Sequence, residues 1–216
     1  MSEHTEHTEH TEHVEHTFDQ DYWDRHYAAG GGAGLPVHPY LPAETVGLAI
    51  GSALDAGCGN GAQALWLAER GWDVVATDIS RAALDAAADR ARSAGLDDRV
   101  DWVRADLTAW EPDRTWDLVV TSYAHADAGQ LELYRRVGEW VAPGGTLLVI
   151  AHAPARAHGH RHTHPEHAAA TIDEVVDLFS GADWLVDAAY EASRTVTPRG
   201  RTVELHDVVV RVHRAR

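Results

Sequence analysis

The segment A-L-D-A-G-C-G-N-G-A at residues 53 to 62 constrains this chain more than any other. An apolar run short enough for a buried strand passes directly into Gly57, Gly59 and Gly61, and then into a helix-forming stretch. Glycines at such a junction allow a tight turn and let a ligand approach the backbone, while the unpaired N–H groups of the helix's first turn face the same space. A unit of this kind needs a parallel sheet with helices packed on it, so the rest of the chain has to supply those layers. Strand-like runs recur at Ala53 to Ala56, Trp72 to Thr77, Val100 to Val103, Leu118 to Thr121 and Thr146 to Ala151. Helical stretches at Gly61 to Glu69, Arg81 to Ser93 and Gly129 to Val141 separate them. A helix at Ile172 to Phe179, capped by Thr171, precedes two further strand-like stretches at Trp184 to Thr195 and Thr202 to Val212. Pro198 and Gly200 make the joint between those two a turn. The expected fold class is therefore α/β: a mostly parallel seven-stranded sheet that ends in a C-terminal antiparallel hairpin.

Composition narrows the function classes. With 216 residues, 44% of them hydrophobic, and eight Trp, the chain has enough apolar material for a full core. No apolar run approaches the ~20 residues of a membrane span. The polar, acidic N-terminus has neither a secretory nor a transit pattern, and the single cysteine, Cys58, supports neither a disulfide nor a Cys-based zinc site. The chain reads as cytoplasmic. Acidic residues number 34 against 18 basic ones, all Arg, for a net charge of -16. That field repels phosphate backbones, so a small-molecule substrate is expected rather than nucleic acid or a membrane.

Two peripheral segments stand out. Residues 1–17 form a His/Glu-rich tail, with His4, His7, His10, His13 and His16 at three-residue intervals and almost nothing apolar to bury. The expectation is a disordered tail, a spacer or a weak metal buffer, ahead of one domain over residues 18–216. Within that domain, residues 18–40 form an N-terminal lid segment, and residues 152–170 a His-rich loop leaving the fifth strand. His152, His158, His160, His162, His164 and His167 are candidate ligands for a divalent transition metal, and the competing reading is adventitious binding without function.

Two ligand classes fit the glycine loop. Gly57, Gly59 and Ala62 satisfy the G-x-G-x-x-A form of a dinucleotide fingerprint, and Asp78, ending the second strand, suits a ribose in either case. Asp55 tips the choice. A carboxylate two residues before the glycines disfavours a pyrophosphate and favours the ammonium and sulfonium of S-adenosylmethionine. Asp106, just after the third strand, is placed to accept from an adenine amino group, with the backbone N–H of Leu107 beside it.

In A-L-D-A-G-C-G-N-G, V-V-A-T-D-I-S, R-A-D-L, W-D-L-V-V-T-S and A-P-G-G-T-L-L-V, in that order, the sequence resembles a class I S-adenosylmethionine-dependent methyltransferase with a Rossmann-like sandwich. The resemblance implies that Asp55 and the loop Gly57, Cys58, Gly59, Asn60 and Gly61 hold the methionine part. It implies Asp78 and Ile79 at the ribose, Asp106 and Leu107 at the adenine, and Thr121 beside the cofactor. Pro143, Gly144 and Gly145 would form a turn before the fifth strand. The aromatic segment Phe18 to Tyr27 is similar to the lid of small-molecule members related to thiopurine and tellurite methyltransferases, which makes Trp23 and Tyr27 candidate covers for cofactor or substrate. The alternative is that these aromatics only anchor the N-terminal segment.

Methyl transfer is an in-line displacement at an already activated carbon, so alignment and exclusion of water matter most. A base is needed only if the acceptor must lose a proton. In T-S-Y-A-H after the fourth strand, His125 is the candidate base and Tyr123 a substrate contact, the alternative being that His125 caps the next helix. The N/D-P-P-Y type motif of amino-methylases acting on bases and glutamine is missing after the fourth strand, which favours a metabolite. Two rival functions remain: a metal-sequestering protein on a methyltransferase scaffold, and a dinucleotide-dependent oxidoreductase.

Overall fold

The computed structural model describes residues 18–32, 36–154, 169–196 and 202–216. The N-terminal His/Glu tract lies outside the described residues, as do His158, His160, His162, His164 and His167. Two helices lead in, α1 (Gln20–Ala28) and α2 (Tyr40–Glu44). The alternating part follows as β1 (Ser52–Ala56), α3 (Ala62–Glu69), β2 (Asp73–Asp78), α4 (Arg81–Ala94), β3 (Val100–Arg104), β4 (Trp116–Ser122), α5 (Gln130–Glu139) and β5 (Val141–His152). It closes with α6 (Ile172–Leu178), β6 (Trp184–Val196) and β7 (Val203–Arg214).

The strands form one seven-stranded sheet in the order β3-β2-β1-β4-β5-β7-β6, parallel from β3 to β5. β7 inserts antiparallel between β5 and β6 and makes the hairpin. Strand order reverses between β1 and β4, where successive crossovers go to opposite sides and leave a crevice at the strands' carboxyl ends. Both faces of the sheet are covered, which is why its central strands read as continuous apolar runs. On one face Leu54, Val119, Leu147 and Val149 pack against Leu133, Tyr134 and Val137 of α5 and Val175 of α6. On the other, Ala53, Leu118, Val120, Leu148 and Ile150 pack against Leu41 of α2 and Ala64 and Leu67 of α3. The period-two split of neighbours such as Leu118 and Val119 between the two cores fixes the register.

Local chemistry sets the boundaries. The Ser80 hydroxyl accepts from Ala83 N–H and starts α4, and Gly95, in the left-handed region, ends it. Thr171 and Glu174 form a reciprocal capping box at α6. One expectation needs correcting. The helix foreseen as far as Val141 stops at Glu139, and Pro143, Gly144 and Gly145 lie within β5 rather than before it. Trp116 pairs with Val141 but Leu118 pairs with Thr146, so the intervening residues are expelled as a bulge, which tolerates a proline without an N–H. A side chain at Gly145 would stand 2.9 Å from the carbonyl oxygens of Ala142 and Trp116, so only glycine fits the bend. Among the described residues no helix is long and apolar enough to cross a membrane.

Candidate functional site

A cavity of about 1390 Å³ runs along the carboxyl ends of the strands, above the order reversal. Ligand pockets usually measure ~300–1,000 Å³, so this one has room for more than one molecule. Its first pole is made of backbone. Gly57, Gly59 and Gly61 all have positive φ, which an L side chain adopts only under strain. Asp78, nearly buried, accepts from Gly59 N–H (2.8 Å) through Oδ2 and from Ser80 N–H (2.9 Å) through Oδ1. Burial raises its pKa against the pull of those two N–H groups. Cys58, Asn60, Ile79, Asp106 and Leu107 also line the cavity. Asp106 is exposed and accepts from the N–H and hydroxyl of Thr108 (2.9 and 2.7 Å), which fixes its carboxylate at the rim.

Asp55 and Thr121 are placed differently. Both are fully buried and neither lines the cavity. Asp55 Oδ2 accepts from Ala64 N–H in the first turn of α3 (3.0 Å), and Oδ1 has no hydrogen-bond partner among the described residues. Burial pushes the Asp55 carboxyl up to about 7, only partly opposed by the Ala64 bond. Asp55 thus holds the glycine loop to α3 from behind.

Helix α1 covers this pole. The Asp19 side chain caps it by accepting from Tyr22 N–H, and Phe18 N–H donates to Asp127 (2.6 Å). Asp24 Oδ1 accepts from the Ser80 hydroxyl (2.6 Å) and Ala82 N–H (3.3 Å), fastening α1 to the start of α4. Tyr27 stands over the glycine loop so closely that a Cβ at Gly59 would lie 2.5 Å from its hydroxyl oxygen. Burial, then the nearby Asp78, raises the Tyr27 pKa, so the phenol stays protonated. Trp23 stacks towards Tyr27 on one side and the His125 ring on the other (6.1 and 6.2 Å).

Past β4, Tyr123 takes a left-handed backbone conformation (φ 52°), a strained one for an aromatic residue. His125 follows. Buried Gln130 donates through Nε2 to the Ala124 carbonyl and the Tyr134 hydroxyl (both 2.8 Å), which turns its Oε1 towards His125 Nδ1 at 3.4 Å. This orientation favours the tautomer with the proton on Nδ1 and the lone pair on Nε2. His152, ending β5, lies against Tyr123 (4.2 Å) and His125 (5.9 Å). Among the described residues no group of three His, Cys, Asp or Glu side chains could hold a metal ion.

The second pole lies beneath β5, β7 and β6; the sequence reading singled out Tyr123 and His152 in it but neither His38 nor Arg194. His38, Tyr123, His152 and Arg194 line it. Arg194 Nε donates to fully buried Asp207 (2.8 Å), whose same carboxylate oxygen accepts from the Tyr40 hydroxyl (3.0 Å), and Arg194 Nη2 donates to the Tyr123 hydroxyl (3.2 Å). These partners come from segments up to 167 residues apart, so no local spacing announces them.

Residues 53–145 match the family model described as a methyltransferase domain. Methyltransferase GfsG of Streptomyces halstedii is 36% identical over 102 residues, 44% of this chain and 36% of that protein. Probable thiol methyltransferase 2 of Arabidopsis thaliana is 28% identical over 136 residues, 59% of this chain and 60% of the relative. The chain therefore spans less than two thirds of the length of either. Among solved structures, TehB from Haemophilus influenzae superposes with a TM-score of 0.70 at 16% identity, covering 91% of this chain and 67% of that one. A structure from work on the conversion of a disulfide bond into a thioacetal group during echinomycin biosynthesis also gives 0.70, at 22% identity and 91% coverage of both chains.

Proposed function

We propose that the chain is a class I S-adenosylmethionine-dependent methyltransferase, a reading supported by the methyltransferase-domain match over residues 53–145, and that it transfers the methyl group of S-adenosylmethionine to a small-molecule acceptor bound in the same cavity. The observation that carries this reading is the pole where three positive-φ glycines and the Asp78 carboxylate meet. Bare backbone there admits a ligand at van der Waals distance, and the Asp78 carboxylate suits the hydroxyl donors of a ribose. The residues fit the cofactor: Gly57 to Gly61 with Cys58 and Asn60 at the methionine part, Asp78 and Ile79 at the ribose, Asp106 and Leu107 at the adenine. Asp55 acts from behind the loop: burial pushes its carboxyl up to about 7, and a cationic ligand nearby would favour its charged form.

The cofactor bound there would supply a methyl carbon activated by its positive sulfur, for displacement by the acceptor with the thioether as leaving group. The chain's share is alignment and exclusion of water. Trp23 and Tyr27 shut the pole under α1, with Asp24 holding that helix down. His125, with its Nδ1 proton directed to Gln130, carries its basic lone pair on Nε2, the atom that would take a proton from an acceptor that must lose one.

Calorimetric titration with S-adenosylhomocysteine tests the reading, with NADH as the rival ligand. Heat with the first and none with the second is expected. No binding of S-adenosylhomocysteine together with binding of NADH overturns it. Transfer of labelled methyl to a metabolite library then identifies the acceptor.

A further inference from the structure

We infer that the second pole of the cavity, built by His38, Tyr123 and Arg194, is a subsite for an anionic oxygen group, such as a carboxylate, on the acceptor. The inference rests on the methyltransferase reading only in calling that ligand the acceptor.

Three observations converge. First, His38 is 7% exposed and lines the cavity, yet among the described residues neither of its ring nitrogens has a hydrogen-bond partner. A buried imidazole left so is costly, and such groups are normally satisfied. Burial, then the charge of Arg194, pushes its pKa down to about 4, so the ring is neutral and offers one N–H. Second, Arg194 is gripped from behind. Asp207 takes Nε and Tyr123 takes one proton of Nη2, while Nη1 has no bond among the described residues. A guanidinium fixed along one edge presents the other as a preorganised donor pair for an oxyanion. Its partner Asp207 is withdrawn from the cavity wall, fully buried.

Third, charge is divided along the cavity. Of the carboxylates in its wall, Asp78 and Asp106 follow β2 and β3, while Asp19 and Asp127 are joined to the N-terminal cover. No carboxylate lines the stretch of wall under β5, β7 and β6 among the described residues. Sheet order puts β5 two strands and β7 three strands from β1, which is ~10–14 Å. A cationic cofactor at one pole and an anionic group at the other would each meet the opposite charge. The Tyr123 ring, pinned at its hydroxyl and strained at its backbone, packs against the His38 (4.9 Å) and His152 (4.2 Å) rings, so the subsite is flanked by flat rings.

Benzoate and the isosteric neutral benzamide are suitable probes, titrated by calorimetry into the full chain with and without S-adenosylhomocysteine. The expected result is benzoate binding about tenfold or more tightly than benzamide, the scale of one charge-assisted hydrogen bond. Removing Arg194 alone would strand the Asp207 charge, so the paired variant Arg194→Gln with Asp207→Asn is used, and it should abolish the preference. His38→Phe removes the orphaned nitrogens without opening a void and is the second, independent variant. It should weaken benzoate about fivefold or more, leave S-adenosylhomocysteine affinity unchanged and raise Tm. Equal binding of benzoate and benzamide, no benzoate binding, or a preference that survives both changes overturns the subsite. Failure of S-adenosylhomocysteine to bind would overturn the proposed function instead, and the benzoate comparison without it would still judge the anion pole.

Discussion

The two ends of the cavity are built by different means. At the glycine-loop end the ligand-facing surface is main chain, and its shape follows from one contiguous segment between β1 and α3. At the far end the surface is side chain: a histidine before α2, a tyrosine after β4, and an arginine of β6 held by an aspartate of β7. The first kind of site tolerates change in its surroundings as long as the turn survives. The second depends on elements distant in sequence arriving in register.

That difference can be broken experimentally, and the largest effect is expected at the far end. Asp207→Ala leaves the half-buried Arg194 charge and the Tyr40 hydroxyl without their acceptor, and should cost about 3 kcal/mol in denaturant unfolding. A loss under ~1 kcal/mol would mean that the network is not held by that ion pair. At the near end, Asp78→Ala should leave stability much closer to wild type and weaken S-adenosylhomocysteine by about 1.5–3 kcal/mol in calorimetry. Unchanged affinity would remove the ribose from Asp78.

Acid sharpens the contrast. The His38 pKa lies at about 4 in the folded protein against 6.5 for an ordinary histidine, so between those values the unfolded chain binds the proton and the folded one does not. Stability attributable to His38 is therefore full above pH ~6.5 and falls as pH drops towards 4, by about 2 kcal/mol at pH 5. Asp55 has the opposite sign, because its raised pKa of about 7 makes the folded state the better proton binder between 3.8 and 7. The stability gap between His38→Phe and wild type should widen as pH is lowered from 7 to 5, and a gap that stays constant would show that His38 titrates normally. The smallest effect belongs to the cover. Asp24→Ala loses acceptors for Ser80 and Ala82, and should speed amide exchange across α1 by the equivalent of about 1 kcal/mol with little change in Tm.

The same contrast explains what could be read from residues alone. The five parallel strands, their helices and the hairpin follow from apolar periodicity and from caps such as Thr171, all of them local signals. Pro143 to Gly145 misled because a Pro-Gly-Gly run reads as a turn, whereas the sheet absorbs it as a bulge between Val141 and Thr146. Gly57 to Asn60, Asp78 and Asp106 sit on one cavity wall because each ends or follows a strand of the crevice. Asp55, one strand position earlier, points at α3, a distinction of side-chain direction that spacing does not carry. Arg194 falls in the strand-like stretch Trp184 to Thr195 and His38 in the lid segment, and neither carries a local signal of its role. Their significance comes from meeting Asp207 and Tyr123, which only the folded sheet arranges.

A β-bulge interrupts the hairpin. Val186 pairs with Val212 and Ala188 with Arg211, so Asp187 is the extra residue, and it is pinned by an ion pair to Arg211 and a hydrogen bond with His213. Everything beyond it inherits that offset, including the diagonal placing of Arg194 next to Asp207. Deleting Asp187 would slide one ribbon past the other by a single notch and swing the guanidinium to the opposite side, leaving the glycine-loop half untouched. The far end of the cavity can thus be reshaped by shifting one ribbon against a fixed frame.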